Sequence, residues 1–486
     1  MSTTTRHCIL LFCFLAVCCL ASAAPAITLE PCPRDLGVVG AKCGALEVFE
    51  NREAGQGRTI SLNIAVLPAL GRSQQPDPLF VLSGGPGTAA TKMARLFDRS
   101  MRRIRDQRDI VLVDQRGTGK SNPLDCESVD PDSALHLPTE DIFEPLKTCL
   151  QGLDADPRFY TTPVAMDDLD QVRQALGYER INLWGGSYGT RAALVYLRRH
   201  PEHVRAVIVD GLAPPAIRLP LHLGEDARRA LDLLLDDCEA DPGCSASFAG
   251  VREKLDHLLE RLEKEPVQAR IQHPRTGESM EIPITRNGVA FLLRLALYSA
   301  ELSTLLPLVI ERADQGDFGP LAALADPWTE LDKAMSVGMF FSVICSEDLS
   351  FIGPDERRQI EAETFLGAAV LDLYAPVCEF WPRGEVPDNY HEPVVSDQPV
   401  LVLSGALDPV TPPRWGEEVA RHLRNARHLV VPGVGHGTLS YGCVSRIMAA
   451  FIDQGSAADL DVDCLQKLRR PPFFNSYTGP RPEETP

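Results

Sequence analysis

Residues 185–189 read Gly-Gly-Ser-Tyr-Gly, directly after the apolar run Ile181 to Trp184 and directly before a helix-patterned stretch, Thr190 to His200. A G-x-S-x-G turn between a strand and a helix forces its serine into a tight backbone conformation, and glycines on either side leave room for it. The hydroxyl is lifted above the sheet edge, where the following helix N-terminus adds a positive dipole end. That turn calls for a sheet whose strands feed helices, and the rest of the chain agrees. Short apolar runs of the buried-strand kind recur at Leu79 to Leu82, Ile110 to Val113, Ala206 to Val209, Val400 to Ser404 and His428 to Val431. Helical stretches such as Met166 to Leu176 separate them, so the expected fold class is α/β, a mainly parallel sheet covered on both faces. Residues 45–50 and 58–66 read as an antiparallel hairpin ahead of it.

The rhythm breaks once. From Ala213 to Pro393 the pattern is helical, with leucine-patterned stretches at Arg228 to Cys238 and Val251 to Glu265 and a more apolar one at Gly288 to Leu306. The expected organisation is a signal peptide over 1–24 and the first part of the sheet domain over 25–212. A mainly helical insertion follows over 213–393, then the sheet's completion over 394–468 and a mobile Pro-rich tail over 469–486.

The signal segment has a weakly positive start (Arg6, His7), an uncharged apolar run from Ile9 to Leu20, and a small-residue site at Ala21-Ser22-Ala23. Such a run is short of the roughly 20 residues a spanning helix takes. A membrane anchor is the alternative, and in its lipoprotein form Val17 stands where Gly, Ala or Ser is wanted. Outside the segment remain Cys32, Cys43, Cys126, Cys149, Cys238, Cys244, Cys345, Cys378, Cys443 and Cys464. An even set in sequence-adjacent pairs suits five disulfides in an oxidising compartment, periplasmic or extracellular, although sequence alone does not fix the connectivity. No C-x-x-C knuckle is present and no two cysteines lie close to a paired histidine, so a zinc site is not expected. A net charge of −19 repels phosphate backbones and argues against nucleic-acid partners. With the signal removed, no second long apolar run remains, and a soluble protein without membrane partners, monomeric by preference, is expected.

A serine hydroxyl becomes a nucleophile when a base takes its proton and an acid orients the base. After such an elbow the chain order is Ser, then Asp or Glu, then His. Asp408 lies in the turn Gly405-Ala406-Leu407-Asp408-Pro409 just beyond one apolar run, and His436 in Gly433-Val434-Gly435-His436-Gly437 just beyond the last. Both fall at C-terminal strand ends, where ligand chemistry gathers in open α/β sheets. The candidate catalytic set is therefore Ser187, Asp408 and His436. Backbone amides for an oxyanion are expected from Gly85, in Ser83-Gly84-Gly85-Pro86-Gly87, and from Tyr188, with Gly84 as the substitute for Gly85. Asp114 to Ser121 imitates a phosphate loop but has Asp114 where the first glycine is needed. It is expected to be a structural loop in which Arg116 pairs with Asp114 or another acid.

With these residues in place, the chain resembles the proline iminopeptidase and tripeptidyl aminopeptidase branch of the α/β-hydrolases. The resemblance rests on G-G-P-G at 84–87, D-Q-R-G-T-G-K-S at 114–121, G-G-S-Y-G at 185–189, C-S-E-D at 345–348, C-E-F-W-P at 378–382, G-A-L-D-P-V-T-P at 405–412 and G-H-G at 435–437. Proline iminopeptidases usually have His before the G-G-P-G, and here it is Ser83. The cysteine content and the C-x-x-W-P segment look more like the tripeptidyl aminopeptidases.

The resemblance implies an α/β-hydrolase fold with a helical cap over the site, no cofactor or metal, and release of residues from the N-termini of short peptides. Two other functions stay open: a secreted carboxylesterase on the same three residues, and a catalytically inactive binding protein. An aminopeptidase must recognise a free ammonium, and a carboxylate near the site does so. Glu347 is the first candidate and Asp348 the second, with Trp381 lining the substrate pocket through a Cys345–Cys378 bridge.

Overall fold

The structure is a computed structural model that describes residues 27–126, 143–273, 276–325, 335–363 and 365–480. The expected signal segment, 1–24, and residues 481–486 lie outside the described residues.

Nine strands form one sheet: β1 (Glu30–Pro31), β2 (Lys42–Phe49), β3 (Thr59–Leu67), β4 (Leu79–Leu82), β5 (Ile110–Val113), β6 (Ile181–Gly186), β7 (Val204–Asp210), β10 (Val400–Gly405) and β11 (Ala426–Val431). Their order is β1-β2-β3-β5-β4-β6-β7-β10-β11. The pairs from β1 through β3 to β5 are antiparallel, and all pairs from β5 to β11 are parallel. The expected hairpin is β2–β3.

Successive side chains of a strand point to opposite faces, so a strand covered on both sides must be apolar throughout. The central strands obey this residue by residue. Phe80, Leu82, Val207, Val209, Val400 and Val402 enter one core with Met166, Leu169, Ala192 and Val195 of the helices Thr162–Ala175 and Tyr188–Arg199. Leu79, Val81, Ala206, Ile208, Leu401 and Leu403 enter the other, against Phe97, Ile447, Met448 and Phe451 of the helices Ala94–Ser100 and Val444–Gln454. Each such side chain contributes about 1.5–3 kcal/mol when fully buried.

Between β7 and β10 the chain leaves the sheet. The helices Leu223–Ala240, Val251–Lys264, Arg286–Ala296 and Leu306–Asp314 pack on one another through Leu231, Leu234, Leu258, Leu262, Leu293 and Val309. An antiparallel hairpin, β8 (Val267–Gln272) with β9 (Ser279–Ile284), joins them through Ala269, Ile271, Ile282 and Ile284. This cluster draws on no residue of the nine-stranded sheet.

Two features of this region depart from expectation. The single helix expected over Gly288 to Leu306 is three, Arg286–Ala296, Ala300–Ser303 and Leu306–Asp314. Ser299 caps a new start by accepting the Leu302 amide (3.2 Å), and Pro307, which has no N–H, begins another. The tail, expected to be mobile, is docked as far as residue 480. Phe473 is buried in the helical cluster, the Phe474 amide donates to the Thr304 carbonyl (3.2 Å), and Arg470 pairs with Asp237 (2.8 Å). An aromatic ring on a cluster with an open edge outweighs the Pro-rich composition around it.

Five disulfides join Cys32 to Cys43, Cys126 to Cys149, Cys238 to Cys244, Cys345 to Cys378 and Cys443 to Cys464, each cysteine to its sequence neighbour. They suit an oxidising compartment.

Candidate active site

Ser187 follows β6 with φ 54° and ψ −124°. A non-glycine residue held at such angles costs about 1–3 kcal/mol and persists only where its surroundings impose it. Here the Ser187 amide donates to the Asp210 carbonyl at the end of β7 (2.9 Å). The flanking glycines are demanded by close approach: a Cβ on Gly185 would lie 2.2 Å from the Gly189 carbonyl oxygen, and one on Gly189 would lie 2.0 Å from that of Leu82. The elbow thus sits hard against the end of β4.

Asp408 follows β10 and is fully buried. Its Oδ1 accepts the amides of Val410 and Thr411 (2.8 Å each), and its Oδ2 accepts the Thr411 hydroxyl (2.8 Å) and His436 Nδ1–H (2.8 Å). Burial alone would raise this carboxyl; the neighbouring His436 and the two amides outweigh it and hold the group below the ordinary carboxylate value. For His436 burial opposes protonation, but the Asp408 carboxylate prevails and lifts the imidazole above its usual value. The His436 amide donates to the Tyr298 carbonyl (2.8 Å), and its ring meets the Tyr298 ring edge-on, centroids 5.1 Å apart. The helix break at 297–299 therefore supplies the carbonyl that anchors the histidine loop.

The structure joins Asp408 and His436 directly and brings Ser187 to the same strand ends. Ser187 Oγ makes no hydrogen bond to His436 among the described residues. Their common neighbour is the segment Asp210-Gly211: a Cβ on Gly211 would lie 3.2 Å from His436 Cε1, while Asp210 holds the serine amide. Such contacts tighten when substrate binds. The glycine turn faces the serine from the other side, since a Cβ on Gly84 would lie 3.1 Å from Ser187 Cβ and 3.7 Å from its Oγ. The amides of Gly84 and Gly85 donate to nothing among the described residues, and Tyr188 N begins the helix Tyr188–Arg199, where no intrahelical acceptor exists. All three are available to a developing oxyanion.

Asp210 is a further member of this cluster that the sequence reading missed. It is buried, its carboxylate accepts the Thr438 amide through both oxygens (2.8 and 3.0 Å), and burial pushes its carboxyl up to about 6. One residue thus fastens the serine elbow through its carbonyl and the histidine loop through its side chain. The signal was present: Asp210 is the first polar residue after the apolar run Ala206 to Val209, the same kind of place that marked Asp408.

The acids expected to hold the substrate are packed into the interior. Glu347 and Asp348 have no exposed surface. Glu347 accepts the Thr162 amide (2.6 Å), the Thr162 hydroxyl (2.8 Å) and the Tyr390 hydroxyl, and lies 3.6 Å from Arg191. Asp348 pairs with Arg191 (2.8 Å). Burial raises both carboxyls, Asp348 to about 7. They lock the segment Ile344–Asp348 onto the helices Thr162–Ala175 and Tyr188–Arg199, and the Thr162 hydroxyl passes the contact to the Tyr188 hydroxyl (2.7 Å). Trp381, expected to line a pocket, is 2 % exposed, donates Nε1–H to Ser342 Oγ (3.0 Å) and packs with Cys345 and Cys378. These residue types were read correctly as belonging together. At this depth Glu347 is held by fixed donors, whereas Asp348 keeps one oxygen, Oδ2, without a hydrogen-bond partner among the described residues.

Arg116 pairs with Asp168 (2.6 Å) rather than with Asp114, which instead accepts the Thr91 amide (2.9 Å) and hydroxyl (2.8 Å). Away from the site, Asp170, His200 and His203 lie close enough to hold a metal ion. Arg173 Nε–H (2.7 Å) and the Tyr196 hydroxyl (2.8 Å) already occupy Asp170, so the trio works as an ion-pair network.

Comparison with known proteins bears on the class of this chain. A model of the alpha/beta hydrolase fold matches residues 77–244, and one described as TAP-like protein matches 363–464. The serine protease Hip1 of Mycobacterium tuberculosis is 27 % identical over 468 residues, covering 87 % of this chain and 87 % of that protein. The tripeptidyl aminopeptidase of Streptomyces lividans is 29 % identical over 221 residues, 41 % of each chain. The proline iminopeptidase of Heyndrickxia coagulans is 29 % identical over 197 residues, 39 % of this chain and 55 % of that protein. Fold and relatives define a serine hydrolase of the α/β-hydrolase class. Within that class, the chain is similar to the tripeptidyl aminopeptidases and proline iminopeptidases.

Proposed function

We propose that this protein is an exported serine aminopeptidase that cleaves short peptides near their free N-termini through an acyl-enzyme on Ser187. The observation that carries the reading is the Asp408–His436 hydrogen bond (2.8 Å), placed at the strand ends beside a serine held at positive φ. His436 Nδ1–H is fixed on Asp408, so Nε2 is the free base. It takes the Ser187 proton as Oγ attacks the scissile carbonyl, and returns that proton to the leaving amine. The Tyr188 amide, with that of Gly85 or Gly84, receives the oxyanion. Water then repeats the sequence on the acyl-enzyme. The names of the relatives support peptide substrates, and the five disulfides support a periplasmic or extracellular location.

The experiment combines a fluorophosphonate probe with a substrate panel. Wild type is expected to be labelled and Ser187→Ala not. Aminoacyl and tripeptidyl amides with free N-termini are expected to be cleaved, and their N-acetyl forms at least tenfold more slowly. Cleavage of short acyl esters alone would make the protein a carboxylesterase, equal rates on acetylated peptides would remove the aminopeptidase claim, and an unlabelled wild type would make it a binding protein.

A further inference from the structure

Among the described residues, six arginines are buried: Arg105, Arg108, Arg116, Arg173, Arg191 and Arg294. Five have a carboxylate partner: Asp98, Asp77, Asp168, Asp170 and Asp348 respectively. Arg294 has none among the described residues, in a chain with 67 acidic side chains to draw on. It is 6 % exposed, and its Nε is buried without a hydrogen-bond partner. Its one hydrogen bond runs from Nη2 to the Tyr298 hydroxyl (3.0 Å), and its guanidinium lies 5.3 Å from the centre of that ring. Tyr298 also meets the His436 ring, so it touches both Arg294 and the base. Arg229 of the helix Leu223–Ala240 reaches the Ala406 carbonyl (3.2 Å), in the turn that carries Asp408. Its Nη1 is also buried without a partner.

A buried guanidinium lacking a counter-charge is expensive, because desolvation is not offset by pairing. It is sustained where a ligand supplies the charge, and a planar fork of N–H donors matches a carboxylate. The position sets which end of the substrate this is. The leaving amine must face His436, from which it takes its proton, while the Gly84-Gly85 turn lies on the carbonyl oxygen's side of Ser187.

We propose that Arg294, aided by the Tyr298 hydroxyl, receives a carboxylate carried by the leaving-group portion of the substrate. This rests on the peptidase reading above and narrows it to peptides whose leaving portion ends in, or contains, a carboxylate next to the cleaved bond. A free C-terminus and an Asp or Glu side chain share that chemistry.

The test uses the mature protein with three peptides, Ala-Pro-Ala-Leu as free acid, its C-terminal amide, and Ala-Pro-Ala-Asp-amide. Each is measured as a substrate and as a competitor of fluorophosphonate labelling at Ser187, which needs no turnover. A charge-assisted pair is worth about 10- to 100-fold in binding. Wild type is expected to prefer the free acid over the amide by that factor in KM and in protection. Arg294→Met should abolish the preference, costing the acid at least tenfold more than the amide, and Arg294→Lys should keep part of it. Preference for the Asp-amide over the Leu-amide identifies a side-chain source, and its absence a C-terminal one. Equal handling of acid and amide by wild type, or equal loss on both in Arg294→Met, overturns the proposal. An acid preference in competition without any peptide cleavage would defeat the peptidase reading and leave this one standing.

Discussion

The sheet and the helical block between β7 and β10 bury their apolar residues by different rules. In the sheet, every second residue of β4, β7 and β10 goes to one face and the rest to the other, so few packings satisfy each strand. The helical block closes on itself around leucines of four helices, a hairpin and Phe473, with no sheet residue inside. Its hold on the reaction runs through a few contacts: the Tyr298 carbonyl on the His436 amide, Arg294 behind Tyr298, and Glu347 on Thr162. The sheet thus carries the candidate catalytic residues at its strand ends, and the block touches them through the histidine loop and the helix Thr162–Ala175.

That division gives an order of effects. Asp408→Asn strikes the sheet side and should reduce kcat by about 10⁴-fold, by releasing the imidazole and removing the charge that stabilises its protonated form. The imidazole must be neutral to accept the serine proton, so activity falls as pH drops through its folded pKa, which lies above the usual 6.5. In Asp408→Asn that acid limb should move to lower pH; a pH–kcat/KM profile with an unmoved limb would break the assignment. Asp210→Asn removes one of two acceptors for the Thr438 amide and a negative charge beside His436. A loss of about 10- to 100-fold in kcat is expected, with KM unchanged and a smaller downward move of the same limb. Steady-state kinetics showing only a raised KM would transfer Asp210 to the binding side of the comparison. Phe473→Ala should do the reverse of both, lowering stability by about 3 kcal/mol in urea unfolding while leaving kcat at 25 °C within twofold. If it abolished activity in the folded protein, the two regions would not be separable.

Much of this was readable beforehand, and the reasons differ by element. The runs Leu79 to Leu82 and Ile110 to Val113 match β4 and β5 to the residue, because a strand covered on both faces has no polar position at which to blur its ends. The serine elbow was equally plain, since its glycines meet backbone atoms of β4 and of the following helix at distances no side chain tolerates. The hairpin β8–β9 was overlooked inside a helical stretch, although Ala269 and Ile271 alternate with exposed neighbours. The break at Tyr298 had only Ser299 and Pro307 to announce it, and a local cap does not say which distant loop will use the freed carbonyl.

By itself, the amino-acid order determined the α/β class, the serine turn, and the acid and base that follow it in order, because strand periodicity and turn chemistry are local properties. Only the tertiary structure decided what the buried charges do. In sequence, Arg294 is a lone charge among apolar neighbours, and Glu347, beside Asp348, follows an equally apolar run. Folding gives Glu347 four polar neighbours in Thr162, Tyr390, Arg191 and the Thr162 amide, and it gives Arg294 a single hydroxyl. Whether a buried charge is saturated by its own chain or left for a ligand depends on which groups long-range packing brings within about 3 Å, and no spacing along the chain encodes that.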